Sequence, residues 1–472
     1  MNRFIFVTIA SLGILIGLAS CGNEAYYGYT VRNGIAVYNT PDRPADQISM
    51  IGFTTEPIDT VKVGVIGLGM RGYSAVERFT YIEGVEITAL CDIVPERVER
   101  TQNILVRHGL SPAAGYDGED AWKELCERDD IDLVYIVTDW KMHTPMAVYA
   151  MEHGKHVAIE VPAATSIAEC WQLVNTAEKT RRHCMMLENC VYDFFELTTL
   201  NMAQQGLFGE VIHAEGAYIH NLDPFWKNYY EGWRYEFNKN HRGDVYPTHG
   251  LGPACQVLNI HRGDKMNTLV SMDTKAFNGL KVAEQFGETE YANGDHTITL
   301  IQTEKGKIIE IQHNVVTPRP YNRMYQVEGT EGFANKYPNE GYSIRTEGRK
   351  TDDHKALDDL TGSASDGEAY LSTEARDALM EQYKHPIIRD IEEKAKQVGG
   401  HGGMDFIMDY RLIYCLNNGL PLDQDVYDAA EWSCLGELTR VSIENGNIPV
   451  VMPDFTRGDW NKLDGYKHAI AE

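Results

Sequence analysis

A chain of 472 residues is too long for one ordinary hydrophobic core, which sets an expectation of two domains with terminal segments. With 43% hydrophobic and 24% charged residues it has the composition of a soluble globular protein. Its 69 acidic against 43 basic side chains leave a net charge of -26, which argues against a nucleic-acid partner and obliges any anionic ligand to find a local basic pocket.

Asn2 and Arg3 give a polar, positive start, and residues 4–18 form an apolar run too short to span a bilayer comfortably. The run ends in Leu18-Ala19-Ser20-Cys21-Gly22, which resembles the lipobox of a bacterial lipoprotein. The expectation is a signal peptide over 1–20, cleavage before Cys21 and a lipid on its sulfur. With Gly rather than Asp at position 22, the expected destination is the outer membrane of a Gram-negative cell envelope. Residues 21–59, with Pro41, Pro44 and Pro57 and no clear periodicity, read as a lipidated tether and an N-terminal arm. The remaining cysteines (91, 126, 170, 184, 190, 255, 415 and 434) form no CxxC pair or Cys/His spacing, and HExxH is absent, so no metal site is expected.

The span 60–189 reads as a doubly wound α/β domain. A strand over residues 61–66 (VKVGVI) runs into Gly67-Leu68-Gly69-Met70-Arg71-Gly72, where a helix starts. These glycines permit a tight turn, close approach of a pyrophosphate and close helix packing, with the helix N-terminus facing the phosphates. Residues 86–91 form the next strand, and Asp92 ends it where a carboxylate accepts bonds from an adenosine ribose, which favours NAD over NADP. Further strands are predicted at 133–137, 156–160 and 184–187. A helix is predicted from an N-cap at Thr144-Pro145 to a stop at Gly154. Loops after such strands face the ligand crevice, which draws in residues 138–143, with Trp140 and His143, and Glu160-Val161-Pro162. For Trp140 a core anchor, and for His143 a helix-start residue, remain equally open. Ser166 to Glu169 reads as a capping box.

The span 190–472 reads as an α+β domain with a largely antiparallel sheet. Its predicted strands include 211–218, 296–302 and 307–312, the last two joined by the hairpin at Glu304-Lys305-Gly306. Residues 221–237 are crowded with aromatic rings, which suits either stacking on a sugar face or a loop pinned by its own rings. DVYPTHGLGP at 244–253 puts Tyr246, Thr248 and His249 beside Pro247 on a stretch expected to be neither regular helix nor strand. The acidic stretch 351–368 reads as a surface loop, helices are predicted at 373–397, 404–417 and 426–444, and Gly399-Gly400-His401-Gly402-Gly403 as a flexible junction.

A Rossmann domain ending in an E-x-P strand, with a larger mixed domain after it, resembles the Gfo/Idh/MocA oxidoreductases. Dehydrogenases of that group usually carry E-K-P, where the lysine handles the hydroxyl proton. Here the triplet is Glu160-Val161-Pro162, and valine exchanges no proton. Further motifs are MRG at 70–72, EVPAA at 160–164, MMLEN at 185–189, YPTHGLGP at 246–253, TPRPY at 317–321 and GGHGGMDF at 399–406. With these the chain resembles glycoside hydrolase family 109, a family of NAD-dependent alpha-N-acetylgalactosaminidases. The resemblance implies a cofactor held by Met70, Arg71, Asp92, Trp140, His143, Glu160, Val161 and Asn189, besides the Gly67, Gly69 and Gly72 loop. It implies a terminal alpha-linked N-acetyl sugar of a glycan held by Tyr218, Arg234, Tyr246, Pro247, Thr248, His249 and Tyr321, with Tyr325 as the competitor for the last place. Such chemistry needs one proton carrier beside a hydride acceptor, which assigns His249 the base role, assisted by Tyr246. The rival expectations are an NAD-dependent sugar or cyclitol dehydrogenase and a non-catalytic glycan-binding lipoprotein. A homo-oligomer is compatible with all three.

Overall fold

The computed structural model describes residues 27–227, 232–351 and 354–471; the expected signal segment and Cys21 lie outside the described residues. Two short strands open the described chain, β1 (Tyr29–Arg32) and β2 (Ile35–Tyr38), paired as a hairpin over Asn33 and Gly34, both at positive φ. The arm is therefore more than a tether. Its second strand runs parallel to a strand near the far end of the chain, and pieces this short leave no periodic signal in the sequence.

The dinucleotide domain holds β3 (Val61–Ile66), α1 (Met70–Phe79), β4 (Val85–Asp92), α2 (Pro95–Arg107), β5 (Ala114–Asp117) and α3 (Ala121–Cys126). It continues with β6 (Leu133–Ile136), α4 (Trp140–Glu152), β7 (His156–Ile159), α5 (Ile167–Thr180) and β8 (Cys184–Met186). All its strand pairs are parallel, in the order β5-β4-β3-β6-β7-β8. β6, β7 and β8 are buried on both faces, which explains their unbroken apolar runs. Strand order reverses between β3 and β6, and the ligand crevice opens at that switch point.

Helix α4 starts four residues before the predicted Thr144 cap. Asp139 caps it instead by accepting from Lys141 N–H, and Pro145 is carried inside the helix. Ser166 does cap α5 by accepting from Glu169 N–H, but the Glu169 carboxylate reaches back to Thr165 rather than to Ser166.

The second domain contributes α6 (Phe194–Gln204), β9 (Val211–Ile219), α7 (Trp233–Asn240), α8 (Thr248–Val257), β10 (Met266–Asp273), α9 (Asn278–Gln285), β11 (Thr297–Thr303), β12 (Ile308–Asn314) and β13 (Asn322–Gly329). It ends with β14 (Gly332–Asn335), β15 (Gly341–Ile344), α10 (Leu357–Thr361), α11 (Thr373–Gln382), α12 (Pro386–Arg389), α13 (Glu392–Val398), α14 (Met404–Asn417), α15 (Val426–Glu444) and β16 (Val450–Val451). Its sheet has the order β1-β2-β16-β10-β11-β12-β9-β13-β14-β15, antiparallel except where β12 meets β9 and β16 meets β2. The stretch 351–368 is not all surface loop, since α10 buries Leu357 and Thr361. The helix predicted over 373–397 is three pieces, broken where Pro386 forces extended backbone on His385. Helices α14 and α15 return to the first domain: α14 packs on α1 and β3, and α15 on α5 and β8.

DVYPTHGLGP departs most from expectation. Thr248 begins the regular helix α8, with Pro247 as its N-cap residue and Pro253 inside it. Gly250 is there for contact rather than for a loop: a Cβ on it would lie 2.2 Å from the Ala217 nitrogen, and one on Gly216 would lie 2.2 Å from the Gly250 oxygen. Helix and strand backbone touch at this crossing, so α8 carries its first turn directly against β9. An apolar, glycine-rich helix buried all round has no amphipathic signature to read.

Candidate active site

The glycine loop is built for a dinucleotide. A Cβ on Gly67 would fall 2.4 Å from the Val137 oxygen and one on Gly72 would fall 1.8 Å from the Gly67 oxygen, so both positions are closed by the protein itself. Gly69 has nothing within 4 Å of its Cβ position, which leaves open space where the middle glycine admits a pyrophosphate. The N-terminus of α1 has no side-chain cap and no acid in its first turn. Asp92 Oδ2 accepts from Leu68 N–H at 2.7 Å, and Oδ1 accepts from Val94 N–H at 2.9 Å and Arg97 at 3.4 Å. A carboxylate has roughly four acceptor sites, so one is left for a ribose hydroxyl. Met70 is exposed at the loop.

The other expected cofactor residues divide. Arg71 Nε donates to Glu160 Oε1 at 2.7 Å, which fixes both at the crevice rim. Val161 is buried and offers no titratable group. The His143 ring is fully buried, with Nδ1 2.8 Å from the Pro162 oxygen and Nε2 3.1 Å from the Thr138 oxygen. Burial pushes this imidazole below its ordinary value, so it is neutral and its one N–H donates to one of these two carbonyls, which ties the side chain into the crevice loops. Asn189 is buried and donates to Asp405 at 2.5 Å.

The expected sugar residues converge on one wall. Tyr218 and Tyr246 rings lie 4.6 Å apart, and Trp140 stacks on Tyr246 at 5.6 Å. The Arg234 guanidinium sits over the Tyr246 ring at 4.7 Å and over Trp140 at 5.5 Å, with Nη2 3.5 Å from the Tyr218 hydroxyl. His249 Nδ1 lies 2.8 and 2.9 Å from the two oxygens of Glu188, and its Nε2 lies 3.3 Å from the Tyr246 hydroxyl. Glu188 is fully buried. Burial pushes its carboxyl up, yet the His249 charge and hydrogen bonds outweigh that and hold it below the usual range. Thr248 and Cys190 N–H act in the same direction. Such a carboxylate fixes the Nδ1–H tautomer of His249 and leaves the Nε2 lone pair for a proton. Tyr246 is pushed well above the ordinary phenol range by burial, despite the opposing pull of Arg234, so it serves as a donor and not as a base.

Tyr321 and Tyr325 differ in burial. Tyr321 is 42% exposed and stands edge-on to His220 at 5.0 Å, whereas Tyr325 is 3% exposed with its hydroxyl on the Glu196 carbonyl. His220 in turn contacts the Tyr218 hydroxyl at 3.0 Å. Of the aromatic stretch 221–237, Trp226 and Tyr235 are core, while Phe225 and Trp233 stay exposed and Trp233 meets Trp140 edge-on at 5.0 Å. Glu188, His220 and Asp405 were given no role in the sequence, although Glu188 and Asp405 lie within the MMLEN and GGHGGMDF motifs. A second signal for Glu188 was a carboxylate at the end of a parallel strand, where crevice residues sit.

Fold and crevice together define an NAD-binding oxidoreductase architecture with a proton-handling dyad and an aromatic wall. Residues 61–188 match the family described as Oxidoreductase family, NAD-binding Rossmann fold, and residues 192–462 match Glycosyl hydrolase 109, C-terminal domain. A Glycosyl hydrolase family 109 protein of Porphyromonas gingivalis is 60% identical over 470 residues, covering 98% of this chain and 99% of the relative. Glycosyl hydrolase family 109 protein 1 of Bacteroides thetaiotaomicron is 60% identical over 467 residues, with 98% and 99% covered. Among solved structures, levoglucosan dehydrogenase in complex with NADH has a TM-score of 0.61 at 15% identity, over 84% of this chain and 100% of that one; it shares the fold. The chain belongs to glycosyl hydrolase family 109.

Proposed function

We propose that the protein releases terminal alpha-linked N-acetylgalactosamine from glycans by oxidation, elimination, water addition and reduction. Bound NAD would supply a reversible acceptor for the C3 hydride, while the C3 hydroxyl proton passes to water and is returned in the final reduction. A ketone at C3 acidifies the hydrogen on C2, and His249 Nε2 takes that proton as the aglycone leaves C1. Water then adds at C1 of the enone, the proton returns to C2, and the C3 alcohol is restored, so the net change is hydrolysis. Glu188 holds the tautomer and stabilises the imidazolium, Tyr246 donates to a sugar oxygen, and Arg234, Tyr218 and Tyr321 hold the ring.

The observation that carries this reading is the Glu188–His249–Tyr246 chain, a single proton carrier oriented by a buried acid. An ordinary glycosidase instead uses two free carboxyl groups. In this crevice Glu188 is taken up by His249, Glu160 by Arg71, and Asp405 by Arg71 and His401. Valine at position 161 removes the lysine route by which dehydrogenases of this fold handle the hydroxyl proton. Purified protein given p-nitrophenyl N-acetyl-alpha-galactosaminide, with nitrophenol and nicotinamide absorbance followed together, should release nitrophenol with no net NADH. In heavy water the released sugar should carry deuterium at C2. NADH accumulating in step with substrate would instead establish a dehydrogenase. The lipid on Cys21 and an outer-membrane location belong to the same proposal, since they place a glycan-degrading enzyme at the cell surface.

A further inference from the structure

Helix α14 begins at the end of the GGHGG motif. Gly399, Gly400, Gly402 and Gly403 all have positive φ, and His401 sits at φ 47. A Cβ on Gly400 would come within 2.7 Å of the Asp405 Cβ, and one on Gly403 within 3.0 Å of the Ala395 carbonyl. The motif is a turn folded back on the helix end. Its product is the placement of one buried carboxylate, Asp405, in the first turn of α14.

Asp405 Oδ1 accepts from Asn189 at 2.5 Å. Its Oδ2 accepts from Arg71 Nη1 at 2.8 Å and lies 2.9 Å from His401 Nδ1, with Arg78 at 3.7 Å. Burial would raise this carboxyl, but the His401 bond and the two arginines hold it far below the usual range, so it is a permanent anion. Arg71 lies two residues after the open Gly69 position and also binds Glu160 beyond β7; Asn189 stands at the exit of β8. One carboxylate supplied by the C-terminal half thus ties down groups at the ends of three strands that border the crevice.

We propose that Asp405 is a positioning residue for the dinucleotide: it fixes Arg71 and Asn189 from outside the Rossmann domain, so that the 399–405 turn sets how long the cofactor stays bound. Charge-assisted hydrogen bonds of this length are strong, and they prevent Arg71 from swinging away from the glycine loop. The inference depends only on dinucleotide binding and is independent of which sugar is cut.

The test uses the holoprotein dialysed against an NAD-hydrolysing enzyme, with retained nucleotide measured over time and melting temperature recorded with and without added NAD. Asp405→Asn keeps the shape and loses the charge. It should shorten nucleotide residence about tenfold or more and shrink the NAD-induced rise in melting temperature. In an Arg71→Met background the same change should cost less than about threefold, because the two residues act as one unit. Unchanged residence with a lowered melting temperature, or losses that simply multiply, would overturn the proposal. If Asp405→Asn gives no folded holoprotein, His401→Ala carries the test, since that imidazole is more than half exposed and removes one of the carboxylate's partners. It should shorten residence by about threefold, and an unchanged value would equally overturn the idea.

Discussion

Glu188→Gln is the sharpest perturbation of the proton carrier. The substitution keeps volume and hydrogen-bonding shape at a fully buried position but removes the charge that faces His249 Nδ1 at 2.8 and 2.9 Å. It also puts an NH2 group where one of those oxygens met an N–H, so the ring is pushed toward the opposite tautomer. His249 Nε2 then carries hydrogen toward Tyr246, 3.3 Å away, and has no lone pair for the C2 proton. Losing a positioned base whose cation is stabilised by a buried carboxylate costs about 10²–10⁴ in kcat, or about 2.7–5.5 kcal/mol of transition-state stabilisation. KM and nucleotide retention should stay near wild type, because neither Arg234 nor the glycine loop touches Glu188. The assay is p-nitrophenol release at saturating substrate, with retained NAD quantified in the same samples. A kcat within about threefold of wild type would refute the assignment of His249 as an oriented base. The variant carries a second signature in pH. The Glu188 carboxyl is held below its ordinary value in the folded protein, so its stabilising contribution is present above the unfolded value and lost as pH falls through the folded one. Wild-type melting temperature should therefore drop on acidification below about pH 4, and Glu188→Gln should drop less.

Tyr321→Phe should raise KM for the glycosyl substrate about 2- to 10-fold while Tyr325→Phe leaves it unchanged, since Tyr321 is 42% exposed and Tyr325 only 3%; steady-state kinetics on the pair decide it. Gly250→Ala should lower stability by at least about 2 kcal/mol, read as a shift in the denaturant midpoint, because the added methyl meets the Ala217 nitrogen at 2.2 Å and only backbone movement relieves it. Cys21→Ser should release the protein from the membrane fraction of a Gram-negative host and abolish incorporation of labelled fatty acid, both scored on fractionated cells.

Much of the fold was legible because it is written locally. A buried parallel strand, a glycine loop and a helix start occupy residues 61–72 without interruption, and Asp92 follows at a distance set by one βαβ unit. Helices α14 and α15 kept their predicted bounds because no proline interrupts them and α15 carries its one glycine, Gly436, without a break. Helix α8 was illegible for the opposite reason. Its prolines and glycines carry a turn signature, and only contact with β9 makes them the residues that fit a helix there. Tyr321 and Tyr325 share a parity and would share a face in a regular strand. Breaks in register on either side of Met324, with positive φ at Met324 and Tyr325, turn one ring to the crevice and the other to the core.

The sequence by itself determined the dinucleotide fold, the family, and the chemical kinds of side chain available to the crevice, because spacing along the chain reports local backbone and one-sided burial. Only the tertiary structure decided which of those side chains act on each other. Glu188 reaches His249 across 61 positions, and Asp405 reaches Arg71 across 334. Electrostatic partnership depends on distance and burial in space, and neither is carried by separation along the chain.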